Sequence, residues 1–304
     1  MKTTVIGVVV LTWLGSHVPA RADDFKEKIV REFSLSGTPG ASTLAVFNIN
    51  GSIRVEGYAG DKVLLEVQKT LSADNRETLE KGKREFKLRF EQTGDSVLVY
   101  IGEPFCSFNV RNGSPNGGSR NGGPGNRRER CPDQDGGNHR RGYEYRLDFT
   151  IRIPYATNLY ASTVNGGDVV VKNVAGSLRA FNVNGPVTLQ NAEGATEVST
   201  VNGNVEASYA AVPDGATYYT LNGDINVRYP ADLSADLQFK NNNGEFYTDF
   251  SDAEALPPRV TKNREGRGGG TVYTISQASS VRVGKGGKTY QFETFNGNIY
   301  VKRQ

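Results

Sequence analysis

The sequence predicts an all-β fold: a single-stranded β-solenoid, or β-helix-like repeat, with about 18–21 residues per coil and one short helix near its amino-terminal part. Three observations support this prediction. A frame of Thr or Asn, any residue, Asn and Gly occurs seven times among the 304 residues. The five central copies are 18 to 21 residues apart. Short runs of alternating apolar residues flank the copies, which is the period of a β-strand.

Each Asn-Gly pair is interpreted as a corner between two short strands, because Asn and Gly tolerate the positive φ of a sharp bend. The seven copies are NINGSIRV (48–55), TVNGGDVVV (163–171), NVNGPVTL (182–189), TVNGNVEA (200–207), TLNGDINV (220–227), NNNGEFYT (241–248) and TFNGNIYV (294–301). Stacked coils lie about 4.8 Å apart, so the corner asparagines are expected to form a ladder of side-chain amides. The predicted corner residues are Asn165, Gly166, Asn184, Gly185, Asn202, Gly203, Asn222, Gly223, Asn243, Gly244, Asn296 and Gly297.

An antiparallel stack of hairpins is the competing fold, since the same alternation of apolar residues would serve it. The two folds differ in one respect. A solenoid places equivalent positions of successive repeats above one another in register, whereas a hairpin array places them on alternating sides.

Residues 1–22 are predicted to be a signal peptide. A cation at Lys2 precedes an apolar run from Val5 to Leu14, and Ala20-Arg21-Ala22 matches a cleavage site. The mature chain is therefore expected to begin at Asp23 and to be exported to the periplasm, the cell surface or the extracellular space.

Residues 23–105 are predicted to form an amino-terminal β segment that caps the solenoid, because an open end would expose unpaired strand edges. Strands are expected around KVLLEVQKT and SVLVYIG. The charged stretch between them predicts a short helix with Ser72 as its N-cap. After the loop described next, YEYRLDFTIR predicts a strand that leads into the repeat domain at 143–304.

Residues 106–142 are dominated by Gly, Asn, Arg and Pro, a composition that cannot bury a core and that predicts a disordered loop. Two cysteines in an exported chain, Cys106 and Cys131, predict one disulfide. The loop's cations are candidate ligand-binding residues for an anionic glycan, and the alternative is a solvated insertion without a ligand. These candidates are Arg127, Arg128, Arg130, Arg140 and Arg141.

Composition limits the partners. Removing Lys2 and Arg21 with the signal peptide leaves 34 basic and 33 acidic residues, so no nucleic acid partner is expected. No stretch reaches the roughly 20 apolar residues of a membrane helix, so no integral membrane segment is expected. The calcium-binding nonapeptide pattern is absent, and no metal or cofactor is predicted.

The chain is not expected to be an enzyme. Asp224 and Glu245 follow their corners at the same offset in copies interpreted as adjacent, which suggests the pair of carboxylates about 5 Å apart in a retaining glycosidase. The other copies carry Gly167, Pro186 and Asn204 at this position. The alternative interpretation is two exposed acids beside a turn.

Aromatic residues lie close to the corners, where they could stack on sugar rings or fill the strand interior. They include Tyr160, Phe181, Tyr209, Tyr218, Tyr219, Phe239, Phe246 and Tyr247.

The run IPYATNLYASTVNGGDVVVKNVAG, the repeated T-x-N-G-[DN]-[IV] and the final FETFNGNIYVKR resemble the bacterial DUF4097 family of β-strand-repeat proteins. The resemblance implies an exported β-solenoid without catalytic residues, in a family labelled as candidate adhesins. We therefore expect a non-enzymatic cell-envelope protein, an adhesin-like binding or scaffold module that uses a repetitive β face. The alternative is a periplasmic regulatory or envelope-stress protein that binds another protein by strand addition.

Overall fold

The computed structural model of the chain describes residues 23–35, 40–102, 142–258, 260–264, 271–275 and 278–304, with the backbone alone for 260–264 and 271–275. These residues form two large sheets, a separate two-stranded ribbon and one helix, so the predicted all-β class is confirmed. The predicted signal peptide, both cysteines and the five candidate arginines of the predicted loop lie outside the described residues.

The strands that precede the central repeats are β1 (Asp23–Ser34), β2 (Thr43–Phe47), β3 (Ile53–Tyr58), β4 (Lys62–Ala73), β5 (Leu88–Thr93), β6 (Ser96–Ile101) and β7 (Tyr143–Pro154). The central strands are β8 (Asn158–Ser162), β9 (Val169–Lys172), β10 (Leu178–Phe181), β11 (Val187–Ala192), β12 (Thr196–Asn202), β13 (Val205–Tyr209), β14 (Ala216–Asn222), β15 (Ile225–Tyr229), β16 (Ala235–Asn243) and β17 (Phe246–Thr248). The last strands are β18 (Glu254–Leu256), β19 (Val260–Arg264), β20 (Thr271–Ile275), β21 (Ser279–Val283), β22 (Lys288–Asn296) and β23 (Ile299–Arg303). Helix α1 spans Arg76–Glu85, between β4 and β5.

Each copy of the repeat supplies one strand to each large sheet. The first sheet has the order β1-β4-β7-β3-β9-β11-β13-β15-β23-β17, and the second has the order β18-β21-β16-β22-β14-β12-β10-β8-β2-β6-β5. The strand before an Asn-Gly corner lies in the second sheet and the strand after it lies in the first, so the copies are not hairpins. Neighbouring copies pair in parallel with equivalent positions opposite each other, as Asn202 and Asn222 show.

The spatial order of the copies differs from their order along the chain. Strand β22 lies between β14 and β16, and β23 lies between β15 and β17. The last copy of the repeat is therefore inserted between the two copies that precede it. The far edge of β16 is taken by β21, which pairs with it in antiparallel orientation.

The corner asparagines are hydrogen-bonded from one copy to the next. Asn202 Nδ2 donates to Asn184 Oδ1, and Asn222 Nδ2 donates to Asn202 Oδ1, both at 2.8 Å. Three further bonds of 2.8 Å continue the series: Asn184 to Asn165, Asn296 to Asn222 and Asn243 to Asn296. Every amide in this ladder donates in the same direction along the stack.

The first residue of the frame donates to a backbone carbonyl of the neighbouring layer, and it is buried in every copy except the sixth, where Asn241 is half-buried. Thr220 Oγ1 donates to the carbonyl of Gly203 at 2.8 Å, and Asn182 Nδ2 donates to the carbonyl of Gly167 at 3.0 Å. The remaining pairs are Asn48 with Leu147, Thr163 with Gly51, Thr200 with Gly185, Thr294 with Gly223 and Asn241 with Gly297. The frame requires Thr or Asn because a buried carbonyl without a donor is costly.

Close stacking, rather than positive φ alone, explains the glycine of each corner. The φ angle of Gly203 is not positive, yet a Cβ atom on this residue would lie 2.3 Å from the carbonyl oxygen of Gly185. At Gly223, where φ is +157°, the Cβ would lie 2.1 Å from the carbonyl oxygen of Gly203. The expectation that these glycines serve only the bend is therefore incomplete.

Tyrosines fill the interior between the two sheets in the β12–β15 region. Tyr218 donates to the hydroxyl of Tyr209 at 2.6 Å, and its oxygen is 2.9 Å from the hydroxyl of Tyr229. Tyr290 donates to the carbonyl of Pro213 at 2.8 Å. Burial raises the pKa of Tyr218 and of Tyr229 well above the ordinary value, and it raises the pKa of Tyr290 to about 12.

Strands of the amino-terminal segment, together with β7, extend both sheets beyond the first copy of the repeat. Strands β7, β4 and β1 continue the first sheet, while β6 and β5 continue the second. Helix α1 is present, but Ser72 as its N-cap is wrong. Asn75 caps the helix and accepts a bond from the amide of Thr78 at 2.9 Å, whereas Ser72 belongs to β4 and donates to Asp24.

We predict that Gly203→Ala lowers the free energy of unfolding by at least about 2 kcal/mol, because the new methyl group overlaps the carbonyl of Gly185. Urea denaturation followed by circular dichroism measures this. Gly102→Ala is the matched control: it also lacks positive φ, and its nearest atom belongs to the flexible side chain of Arg89 at 3.1 Å. It should cost less than about 1 kcal/mol, and equal losses in the two variants would contradict the stacking argument.

We predict that Tyr218→Phe lowers the free energy of unfolding by about 1–2 kcal/mol at neutral pH, because the hydroxyls of Tyr209 and Tyr229 lose their shared partner. Tyr219→Phe, on the outer face of the same strand, should cost less than about 0.5 kcal/mol.

The same tyrosines predict alkaline unfolding. Because burial raises their folded-state pKa, their contribution to stability is complete below the unfolded pKa of about 10 and is lost as the pH rises above it. Urea denaturation across this pH range should show a shallower loss for Tyr218→Phe than for the wild type. Identical slopes would show that this hydroxyl does not control the alkaline transition.

Candidate ligand-binding face

The outer face of the first sheet carries regular rows of polar side chains across β11, β13, β15 and β23. Parallel in-register pairing places Thr188 opposite Glu206, Glu206 opposite Asn226, and Asn226 opposite Tyr300. A second row, two residues further along the strands, places Ser208 opposite Arg228 and Arg228 opposite Lys302. We call the outward-facing residues of these four strands the polar face.

A shallow groove of about 300 Å³ crosses the polar face. The outward side chains that line it are Thr188, Gln190, Glu206, Ser208, Asn226, Arg228, Tyr300 and Lys302. Amide, hydroxyl and charged groups therefore meet in one place, on strands whose backbones are fixed by the ladders at the corner.

Two neighbouring cations of the groove have no acidic partner. Arg228 and Lys302 are exposed on adjacent strands, and none of the ion pairs among the described residues includes either of them. Like charges directly opposite each other repel. With Glu206 as the only acid among the groove residues, the pair favours an anionic ligand.

Two stacked tyrosines continue the row at the edge of the sheet. The rings of Tyr300 and Tyr247 lie 5.0 Å apart at an angle of 8°. Tyr247 is 43% exposed, and Lys302 Nζ lies 5.3 Å from the ring of Tyr300. The hydroxyl of Tyr247 donates to Glu245, and this bond raises the pKa of Tyr247. Exposed aromatic rings beside cations are suited to the apolar faces and the charges of a sugar.

The outer face of the second sheet differs in its central strands, where opposite charges on neighbouring strands are paired. Arg179 lies 3.2 Å from Glu197, and Lys240 lies 2.6 Å from Glu293. Its aromatic side chains pack on each other: the ring centre of Tyr160 lies 4.9 Å from that of Phe47 and 5.2 Å from that of Phe181. Burial is the main cause that raises the pKa of Tyr160 to about 12.

The other aromatic residues singled out in the sequence divide between interior and surface. Tyr209, Tyr218 and Phe239 are buried, while Tyr219 and Phe246 are half-buried.

The interpretation of Asp224 and Glu245 as neighbours is wrong. Because the last copy of the repeat lies between their strands, Asn298 separates them: Asp224 Oδ1 accepts the amide of Asn298 at 2.7 Å, and Asn298 Oδ1 accepts the amide of Glu245 at 2.9 Å. Two strand spacings amount to about 10 Å, well beyond the distance in a retaining glycosidase pair.

Within the described ranges, no cluster of three or more His, Cys, Asp or Glu residues is arranged to hold a metal ion. The same residues contain no helix that is long and apolar enough to span a membrane. The cysteine pair and the arginine-rich loop lie in 103–141, outside these ranges, so both stay predictions.

Comparisons with known proteins give three low structural similarities. A candidate cell adhesion protein from Clostridium sporogenes ATCC 15579 has a TM-score of 0.40 and 10% identity, over 92% of this chain and 100% of that one. A candidate adhesin from Bacteroides fragilis NCTC 9343 has a TM-score of 0.36 and 8% identity, over 91% and 97%. A candidate lipid binding protein from Parabacteroides distasonis ATCC 8503 has a TM-score of 0.25 and 11% identity, over 91% and 96%.

No protein-family model and no curated protein matches the chain. Similarities as low as the three structural ones assign neither a family nor a ligand to it. Membership of the DUF4097 family therefore stays a prediction.

Proposed function

We propose that the protein is an exported, non-enzymatic β-solenoid of the cell envelope, an adhesin-like binding or scaffold module whose polar face binds an anionic glycan. The observation that carries this proposal is the pair of adjacent, unpaired cations Arg228 and Lys302 in a groove that ends at the stacked rings of Tyr300 and Tyr247. Carboxylate or sulfate groups on the ligand would neutralise the two cations.

Each feature of the groove matches one feature of an acidic polysaccharide. Tyr300 and Tyr247 offer ring faces for sugar stacking, and Asn226 and Thr188 offer hydrogen bonds for hydroxyl groups. The single contacts are weak, but a polymer that spans several strands adds them up through effective concentration. A surface of this kind needs rigid spacing, which the ladder of corner asparagines provides.

The proposed export to the cell envelope rests on the predicted signal peptide at residues 1–22. The proposed solenoid rests on the parallel, in-register pairing of the copies. The arginine-rich loop is a second candidate contact for the same class of ligand. Deleting residues 107–142 separates the two, because the deletion leaves the polar face intact.

We predict that Arg228→Ala with Lys302→Ala weakens binding to heparin and to polygalacturonate by about tenfold or more, because two charge-assisted contacts are lost. Biolayer interferometry with the mature chain at low and high salt measures this. Wild-type binding should fall with salt, since exposed charges are screened.

The matched control is Arg179→Ala with Lys240→Ala, which removes two exposed cations from the outer face of the second sheet. This variant should bind the two acidic polymers as tightly as the wild type does. Neutral dextran, used instead of the acidic polymers, should not bind. Equal losses of binding in both double variants would show that binding depends on the net charge of the protein and not on the polar face. Wild-type affinity in the Arg228→Ala, Lys302→Ala variant would rule out the polar face as the site.

A further inference from the structure

The two sheets end unevenly at the amino-terminal end of the stack. Among the described residues, the first sheet continues beyond the first copy of the repeat with three strands, β7, β4 and β1, and the second with two, β6 and β5. Helix α1 packs on one part of this extra strand area, through contacts with β4, β1 and β7. Along the rest of β1, the described part of the second sheet reaches β1 through side chains of β5, where the ring of Phe90 lies 6.4 Å from the ring of Phe33.

The result is an apolar groove of about 440 Å³ between β1 and β5. Its floor and walls include Ile29 from β1 and Leu88 and Phe90 from β5, and all three side chains are only half-buried although they face the interior. Two contacts outside the lining hold β1 against its neighbours. Gln92 Nε2 donates to the carbonyl of Ser34 at 2.8 Å, and Lys83 Nζ lies 4.4 Å from the ring of Phe25.

Both walls are sheet edges. β1 pairs only with β4, and β5 pairs only with β6, so each strand has backbone groups that no described strand satisfies. Such edges accept a further strand unless the protein blocks them. β1 carries charges at every few positions, which discourages pairing, whereas β5 presents the apolar side chains of Leu88 and Phe90 to the groove.

The charge around the groove is mainly positive. The residues that line it include four cations and a single acid. Lys69 is paired with that acid, Glu27, at 3.1 Å, and Lys28 is paired with Glu66 at 2.8 Å, whereas Arg31 and Lys87 are in no ion pair among the described residues. Lys87 and the neighbouring Arg89 are both exposed, and neither takes part in an ion pair among the described residues.

We infer that this groove binds an extended segment of another protein, with alternating apolar and acidic residues, as an additional strand on β5. Its apolar side chains pack between Ile29 and the pair Leu88 and Phe90, beside the last described strand of the second sheet. Its acidic side chains lie on the outer surface beside Lys87 and Arg89, as cross-strand pairs of opposite charge. Backbone hydrogen bonds supply affinity, and the alternation supplies specificity.

The test uses the mature chain and labelled peptides of about ten residues, the length of a long strand, that alternate valine with glutamate. We expect saturable binding by fluorescence anisotropy, and a loss of about tenfold or more with Lys87→Glu plus Arg89→Glu. Lys172→Glu, an exposed position on β9, is the matched control and should leave binding unchanged. The Arg228→Ala, Lys302→Ala variant should also bind the peptide normally, which separates this inference from the glycan proposal.

Two further peptides test strand pairing directly, without changing the protein. One is N-methylated at every valine and the other at every glutamate. Because the N–H groups of alternate residues point to the same edge, one of these peptides should lose binding and the other should keep it. Equal binding of both would overturn the strand-addition geometry.

Three other outcomes would overturn the inference. The first is no saturable binding of the valine–glutamate peptide. The second is equal binding of a valine–lysine peptide, which would show that Lys87 and Arg89 do not select acidic peptides. The third is concentration-dependent dimerisation in sedimentation that Lys87→Glu plus Arg89→Glu abolishes, which would assign the groove to a second copy of this chain instead.

Discussion

The close contact between successive corner glycines is the constraint on which the rest of the structure depends. At Gly203 the space that a Cβ would occupy is taken by the carbonyl oxygen of Gly185, and the same oxygen accepts the hydroxyl of Thr200. One carbonyl thus sets both the distance between two layers and their register. A shift of one residue would remove the donor and turn the apolar side chains outward.

This registration also determines the surface. Since equivalent positions lie directly opposite each other, side chains far apart in the sequence become neighbours at one strand spacing. Arg228 and Lys302 are opposite each other although 74 residues separate them. Their proximity follows from the corners and from the placement of the last copy, and no contact between the two side chains produces it. The spacing of side chains on the polar face is therefore fixed by the ladder of corner asparagines that precedes its strands.

The sequence allowed the strands, the corners and the helix to be predicted, because all three depend on local patterns. It did not reveal the spatial order of the copies, since every copy carries the same frame and therefore fits any neighbour. That one ambiguity led to the wrong pairing of Asp224 with Glu245 and concealed the pair Arg228 and Lys302. The cap of α1 was missed for a different reason: Ser72 and Asn75 are both good caps, and only the length of β4 decides between them.

The position of the last copy has a consequence for the order in which the chain can fold. Ribosomes make the chain from its amino terminus, so β16 and β17 emerge before the strands that separate them from β14 and β15. Until residues 288–303 are available, β22 is missing between β14 and β16. β16 therefore has no neighbouring strand of the repeat to hold it in its final layer. The five preceding copies can stack as they appear, but this end of the protein is completed only after synthesis ends. A truncated chain would therefore lose an internal layer rather than a terminal one.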